Sequence, residues 1–134
     1  MVTIPESHTD LLSTDVAMLA TQGQDGHPQV TAVGFLLDDG LIKLSLNTSR
    51  QKTKNLKQRP ACTLFVLDRT NPYRTLEIRA IAELSPDDDY RFADKLGAKY
   101  GGMNLRKMDQ PGQQRVVVTL RPVKVNGLPS AHEP

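Results

Sequence analysis

Leu41-Ile42-Lys43-Leu44-Ser45-Leu46-Asn47, then Thr48-Ser49-Arg50-Gln51-Lys52-Thr53-Lys54-Asn55-Leu56-Lys57-Gln58-Arg59-Pro60, then Ala61-Cys62-Thr63-Leu64-Phe65-Val66-Leu67 is the passage that decides the fold. In its first piece Ile42, Leu44 and Leu46 alternate with Lys43, Ser45 and Asn47. Period two marks a half-buried strand with one wet face. The last piece is a continuous apolar strand, and Arg50–Gln58 between them reads as a helix.

Outward from this passage the strand signals continue. Val16–Thr21 is a short apolar run, Asp25-Gly26 is a hairpin turn, and Pro28–Leu37 reads as the return strand. Asp39-Gly40 turns the chain into Leu41. Thr75–Leu84 places Leu76, Ile78, Ala80 and Ala82 on one face and Glu77, Arg79 and Ile81 on the other. Arg115–Val125 is the last long strand, and Pro122 within it marks an edge or a bulge. A second helix is expected from Ser85 as N-cap and Pro86 as first helical residue, with Asp87 and Asp88 at the positive end of its dipole. Tyr90, Ala93, Leu96 and Tyr100 follow at helical spacing, and Gly101-Gly102 stops the element. Ser7–Leu12 reads as a short leading helix and Met103–Gly112 as a mobile loop. About six strands with hairpin turns and a few short helices argue for a mainly β fold, a closed antiparallel barrel.

The 134 residues fit one domain, 1–134, large enough to bury a core without disulfides. Cys62 is the single cysteine, which excludes an intrachain disulfide and a thiolate metal cluster; inside its apolar run it reads as a small buried hydrophobe. His8, His27 and His132 have no ligand spacing, and no metal site is expected. No secretory signal or membrane-length apolar run is found, so a soluble cytoplasmic protein is expected.

Seventeen basic and fifteen acidic residues leave a net charge of +2, yet Leu41–Leu67 holds six basic residues and no acid. That is a local anion site or a solvated basic face. Aromatic interleaving is missing, which speaks against nucleic acid. No nucleophile elbow, P-loop, dinucleotide fingerprint or zinc-protease motif is found. The remaining candidate is Thr48–Leu56, where hydroxyls, a helix N-terminus, the Arg50 fork and the Lys52 charge supply the parts of a phosphate site. On the residues alone, an exposed basic helix without a ligand is an equal reading.

Leu19–Thr21, Asp25–Pro28, Thr31–Phe35, Ser49–Leu56 and Pro60, in that order, resemble the pyridoxamine 5′-phosphate oxidase-like superfamily. Asn71–Arg74, Leu76–Arg79 and the ending Val125–Pro129 are similar to its F420-dependent oxidoreductase group. The resemblance implies a six-stranded Greek-key split β-barrel, dimeric, with the cofactor at the subunit interface and a small organic molecule as substrate. It implies coenzyme F420 as cofactor, with FMN as the alternative, and an oxidoreductase that passes a hydride between reduced F420 and its substrate. An FMN-binding oxidase and a non-catalytic cofactor carrier are the rivals. Carried over, Arg50 and Lys52 match cofactor-phosphate ligands, and Ser49, Thr53 and Asn55 match neighbouring polar positions. Thr31, Ala32 and Val33 match the strand beside the ring, and Arg79, Gly127 and Leu128 match further contacts. Tyr73, another side chain or water would be the proton donor. Two positions depart from the pattern: Gly34, where many relatives carry a bulky aromatic, and Ala80, where many carry glycine.

Overall fold

The computed structural model describes residues 2–129, so His132 lies outside the described residues. Seven strands form one antiparallel sheet: β1 (Ala17–Gln22), β2 (Pro28–Val33), β3 (Leu36–Asp38), β4 (Leu41–Asn47), β5 (Ala61–Asp68), β6 (Asn71–Pro86) and β7 (Arg115–Leu128). Their order across the sheet is β2-β1-β5-β6-β7-β4-β3. Inward side chains from opposite parts of that order, among them Leu19, Leu44, Leu64, Leu76 and Val118, meet in one core. The sheet therefore wraps around its own apolar face.

The wrap is not closed by hydrogen bonds, which corrects the closed barrel and the count of six strands. Its two edges, β2 and β3, are consecutive in the chain, and the sequence reading had joined them as one strand. Gly34 and Phe35 interrupt it for a local reason. The Phe35 side chain is fully buried. Its backbone N–H donates to Tyr100 Oη at 3.0 Å, and its carbonyl accepts from Lys99 Nζ at 2.7 Å. Side chains from the second helix thus take both backbone groups that a strand neighbour would have used. The result is a barrel split along one seam.

Helix α1 (Gln51–Gln58) connects β4 to β5 as the sequence indicated. Helix α2 (Arg91–Lys99) starts later than expected, because Ser85 and Pro86 remain in β6, paired with Val117 and Val116. The acidic run still caps it. The buried Asp87 carboxylate accepts from the backbone N–H of Phe92 and of Ala93, at 3.1 and 2.9 Å. Tyr90 at the N-cap has a positive φ of 60°, and Gly101 at φ 73° ends the helix. Phe92, Ala93 and Leu96 form a second small core with Leu105.

A 3₁₀ helix at Glu6–Ser13 replaces the expected leading helix, and another at Leu105–Met108 lies within the supposed mobile loop. That segment is packed, since Leu105 is buried and Asp109 is bonded deep in the fold. Pro122 lies beside a register shift at Arg79/Ala80, past Leu120 where pairing with β4 ends. It marks a bulge. Cys62 is buried, and burial pushes its thiol pKa up to about 11. None of the helices among the described residues is long and apolar enough to cross a membrane.

Candidate functional site

The seam opens into a cleft of about 400 Å³. One wall is formed by Ala32–Gly34, and another is the end of β4, Ser45–Asn47. Arg50 and Lys52 enter from the start of α1, while Leu96, Tyr100, Met103, Leu105 and Met108 come from α2 and the loop after it.

Asn47 builds the turn that aims the two cations. Its Oδ1 accepts from Ser49 N–H at 2.8 Å and from Ser49 Oγ at 2.6 Å, while its backbone carbonyl accepts from Thr53 Oγ1 at 2.7 Å. Asn55 is fully buried; it donates to Thr21 Oγ1 at 3.1 Å and accepts from Gln51 Nε2 at 2.9 Å. Ser49, Thr53 and Asn55 are thus engaged in shaping and anchoring the first turn of α1. The Arg50 carbonyl accepts from the backbone N–H of Thr53 and Lys54, at 3.1 and 3.2 Å, which leaves the Gln51 and Lys52 amides as the open ones beside Arg50.

Lys52 is 8% exposed, yet its ammonium has one hydrogen-bond partner, Thr31 Oγ1 at 3.1 Å. Burial, and then the nearby Arg50 guanidinium, lower its pKa. Among the described residues neither Arg50 nor Lys52 makes an ion pair, although ten other ion pairs occur in the chain. A buried ammonium with free donors, a guanidinium and open helix amides form a donor set for an anion. Their chemistry fits a phosphate group.

The structure brings Ala32, Val33, Arg50 and Lys52 together around the cleft, with Thr31 as the partner of Lys52. It does not bring Arg79 there. That guanidinium lies on the outward sheet face, 3.3 Å from Glu77. Tyr73 is 85% exposed at the start of β6, away from the cleft lining. Gly127 packs beneath the His8 ring, where an added Cβ would come within 3.0 Å of Nδ1. His8 Nε2 donates to the Leu128 carbonyl at 3.0 Å, tying the end of β7 to the leading 3₁₀ helix. Among the described residues no His, Cys, Asp and Glu side chains gather in a group of three or more that could hold a metal ion.

Residues in and directly behind the cleft escaped the sequence reading. Arg115 and Asp109 form a buried pair, their side chains 5% and 4% exposed, through Nη2–Oδ1 at 2.7 Å and Nε–Oδ2 at 3.0 Å. Asn47 Nδ2 and Tyr90 Oη also donate to Asp109, at 2.7 and 2.8 Å. Burial pushes the Asp109 carboxyl up, but the bonds from Arg115, Asn47 and Tyr90 outweigh it and hold the pKa at about 2. Nothing local signals a pair six residues apart across a loop. Tyr100 was legible as a helix-face residue, and its role was not. Its ring covers Gly34, where an added Cβ would lie 3.1 Å from Cζ, so the aromatic at the seam comes from α2 and not from position 34. Burial raises its phenol pKa, partly offset by the bond to the Phe35 backbone.

Comparison with known proteins agrees with this architecture. Residues 4–128 match the pyridoxamine 5′-phosphate oxidase family. A solved structure of an F420 reductase is similar at 35% identity and a TM-score of 0.79, covering 92% of this chain and 98% of that one. A conserved hypothetical protein from Mycobacterium tuberculosis is similar at 25% identity and a TM-score of 0.75, covering 94% and 85%. A third, described as a pyridoxamine 5′-phosphate oxidase from Listeria innocua, shares the fold at 21% identity and a TM-score of 0.68, covering 90% and 93%. With a match across nearly its whole length, the chain belongs to the pyridoxamine 5′-phosphate oxidase family, in the split-barrel architecture that its seam displays.

Proposed function

We propose that this protein binds coenzyme F420 in the seam cleft and acts as an F420-dependent oxidoreductase on a small organic substrate. One observation carries the reading: Arg50 and Lys52 converge on the cleft with no carboxylate partner among the described residues, one of them buried. An unpaired buried cation is costly unless an anionic ligand completes it. The likeness to an F420 reductase at 35% identity supports the deazaflavin over other phosphorylated ligands.

When bound, the deazaflavin supplies the hydride chemistry. The chain supplies position. Arg50, Lys52 and the first amides of α1 hold the phosphate, and Thr31 orients the Lys52 ammonium. The backbone of Thr31, Ala32 and Val33 forms the surface beside which the ring lies. Ser49, Thr53 and Asn55 keep the turn and helix in place, and so act on the ligand through Arg50 and Lys52. Tyr100 shields the seam from water at Gly34.

The working unit is a homodimer. Ala32 borders the cleft and is paired in register with Met18, which is itself paired with Phe65. Met18 and Phe65 are partly exposed, and Val30, Ile81 and Val123 are 60%, 42% and 58% exposed. A second copy seated on this face would bury those side chains and roof the cleft, bringing Arg79 to the subunit interface.

Titration of the purified protein with F420 and FMN side by side tests the assignment. At least tenfold tighter binding of F420 is expected. Preference for FMN would make the protein a flavoprotein of the same family, and failure of both would remove the cofactor reading.

A further inference from the structure

The Asn47 side-chain amide can be turned two ways, and its surroundings admit one. Oδ1 faces the turn before α1, accepting from Ser49 N–H at 2.8 Å and from Ser49 Oγ at 2.6 Å. Nδ2 faces the other way, donating to Asp109 Oδ1 at 2.7 Å and to Gln113 Oε1 at 2.9 Å. The reverse orientation would set a donor against Ser49 N–H and an oxygen against two other oxygens. With Asn47 only 7% exposed, solvent would relieve little of that mismatch. Asp109 and Gln113 therefore dictate where the Asn47 oxygen points.

That orientation decides which amides the anion site shows. Thr48 N–H donates to the Gln114 carbonyl at 2.9 Å, Ser49 N–H to Asn47 Oδ1, and Arg50 N–H to the Asn47 carbonyl at 3.2 Å. Three successive donors are thus consumed in bending the chain, and the Gln51 and Lys52 amides stay open. Should Oδ1 swing away, Ser49 N–H would lose its acceptor and the bend would lose the bond that fixes it.

Asp109 is held firmly enough to impose this. Arg115 bonds both of its oxygens, and Tyr90 Oη donates to Oδ2 at 2.8 Å. With a pKa of about 2 the carboxyl stays ionised at neutral pH and only accepts. Its side chain is 4% exposed and stands behind the cleft lining, so it acts through Asn47.

We propose that Asp109 is a positioning residue of the anion site, fixing the Asn47 amide and through it the turn that presents Arg50, Lys52 and the two open amides. The proposal rests on reading that turn as an anion site, and not on which coenzyme carries the anion.

The carboxylate oxygens divide the test. Asn47 bonds Oδ1 and Tyr90 bonds Oδ2. Asp109→Asn should disturb the turn, because one oxygen and one amide cannot serve both Arg115 and Asn47. Tyr90→Phe should lower Tm and leave the turn intact. Gln113→Leu removes the second acceptor of Asn47 without touching Arg115, and carries the same test if Asp109→Asn does not fold. The probe is inorganic phosphate, titrated by NMR on the Gln51 and Lys52 amide signals. Hydrogen exchange at Ser49 N–H, measured without ligand relative to the amides of β4, reports the turn itself. Both Asp109→Asn and Gln113→Leu should weaken phosphate at least fivefold and speed Ser49 exchange at least tenfold. In Tyr90→Phe both readouts should stay within about twofold of the parent. Unchanged phosphate affinity or Ser49 exchange in the first two variants would overturn the proposal. So would an equal loss in Tyr90→Phe, which marks a general effect of stability, or a parent whose Gln51 and Lys52 signals ignore phosphate. If F420 and FMN both fail to bind while the phosphate and exchange results hold, the proposal stands and the cofactor reading alone fails.

Discussion

Lys52→Met separates the cost of the anion site from its use. In the ligand-free protein Lys52 is 8% exposed, its ammonium bonded at 3.1 Å to Thr31 and adjacent to Arg50. Burial and then Arg50 lower its pKa below the ordinary value of 10.5. The sign follows directly. A lysine with a lowered pKa in the folded state binds its proton less tightly there than in the unfolded chain, so the charged form opposes folding at neutral pH. That penalty fades as pH rises toward the unfolded pKa. Methionine keeps the stem volume and removes the charge, so Tm of the ligand-free variant should rise at pH 7. Phosphate binding should suffer instead. A charge-assisted hydrogen bond is worth about 1.5–3 kcal/mol, which at about 1.4 kcal/mol per decade predicts a Kd roughly 10- to 150-fold weaker. Calorimetric titration and thermal unfolding of the same two proteins check both halves. A lower Tm together with unchanged affinity would refute the reasoning, because Lys52 would then be a structural residue.

Asp109→Ala should destabilise the protein by about 3–5 kcal/mol by leaving Arg115 buried and unpaired, and adding Arg115→Leu should recover part of the loss in denaturant titrations. With the Asp109 pKa held at about 2 against an unfolded value near 3.8, its contribution is present above about pH 4 and lost as pH falls through 2. It is on the order of 2 kcal/mol, and acid unfolding curves of the parent should show a loss that the variant lacks. Gly97→Ala should lower Tm although alanine is the better helix former by about 1 kcal/mol, because the overlap with the Met103 carbonyl costs about 1–3 kcal/mol. A raised Tm would show that the loop does not rest on α2. Phe65→Glu, on the exposed sheet face, should convert a dimer to monomer in sedimentation and weaken cofactor binding with it; a dimer that persists would place the interface elsewhere.

What the sequence made legible was whatever depends on local pattern. The bounds of β4 match Leu41–Asn47, and its alternation holds up to Leu46, while Asn47, expected on the wet face, is buried; the inward set Leu76, Ile78, Ala80 and Ala82 is buried as its spacing indicated. The Arg50–Gln58 helix and its two cations were likewise readable, because strand, turn and helix follow one another without interruption. The rest depends on partners distant in the chain. Nothing within Pro28–Leu37 announces that Tyr100 and Lys99 will take the backbone groups of Phe35 and divide the strand. The start of α2 moved for a similar reason, since pairing with β7 holds Ser85 and Pro86 extended while Asp87 and Asp89 do the capping. Asp109 looked like loop because its three donors come from β4, from the N-cap of α2 and from β7. The cleft walls that decide what the anion site can hold come from these same long-range contacts.

Comparing a deazaflavin that carries its phosphate-bearing tail with the same ring system lacking that tail probes the anion cradle itself. The ring contacts are common to both ligands, so the difference in Kd isolates Arg50, Lys52 and the first amides of α1. Binding at least tenfold tighter with the tail, and a ratio that collapses in Lys52→Met, is the predicted result. Equal affinities for the two ligands would contradict the account, because the unpaired cations at the seam would then have no part in holding the coenzyme.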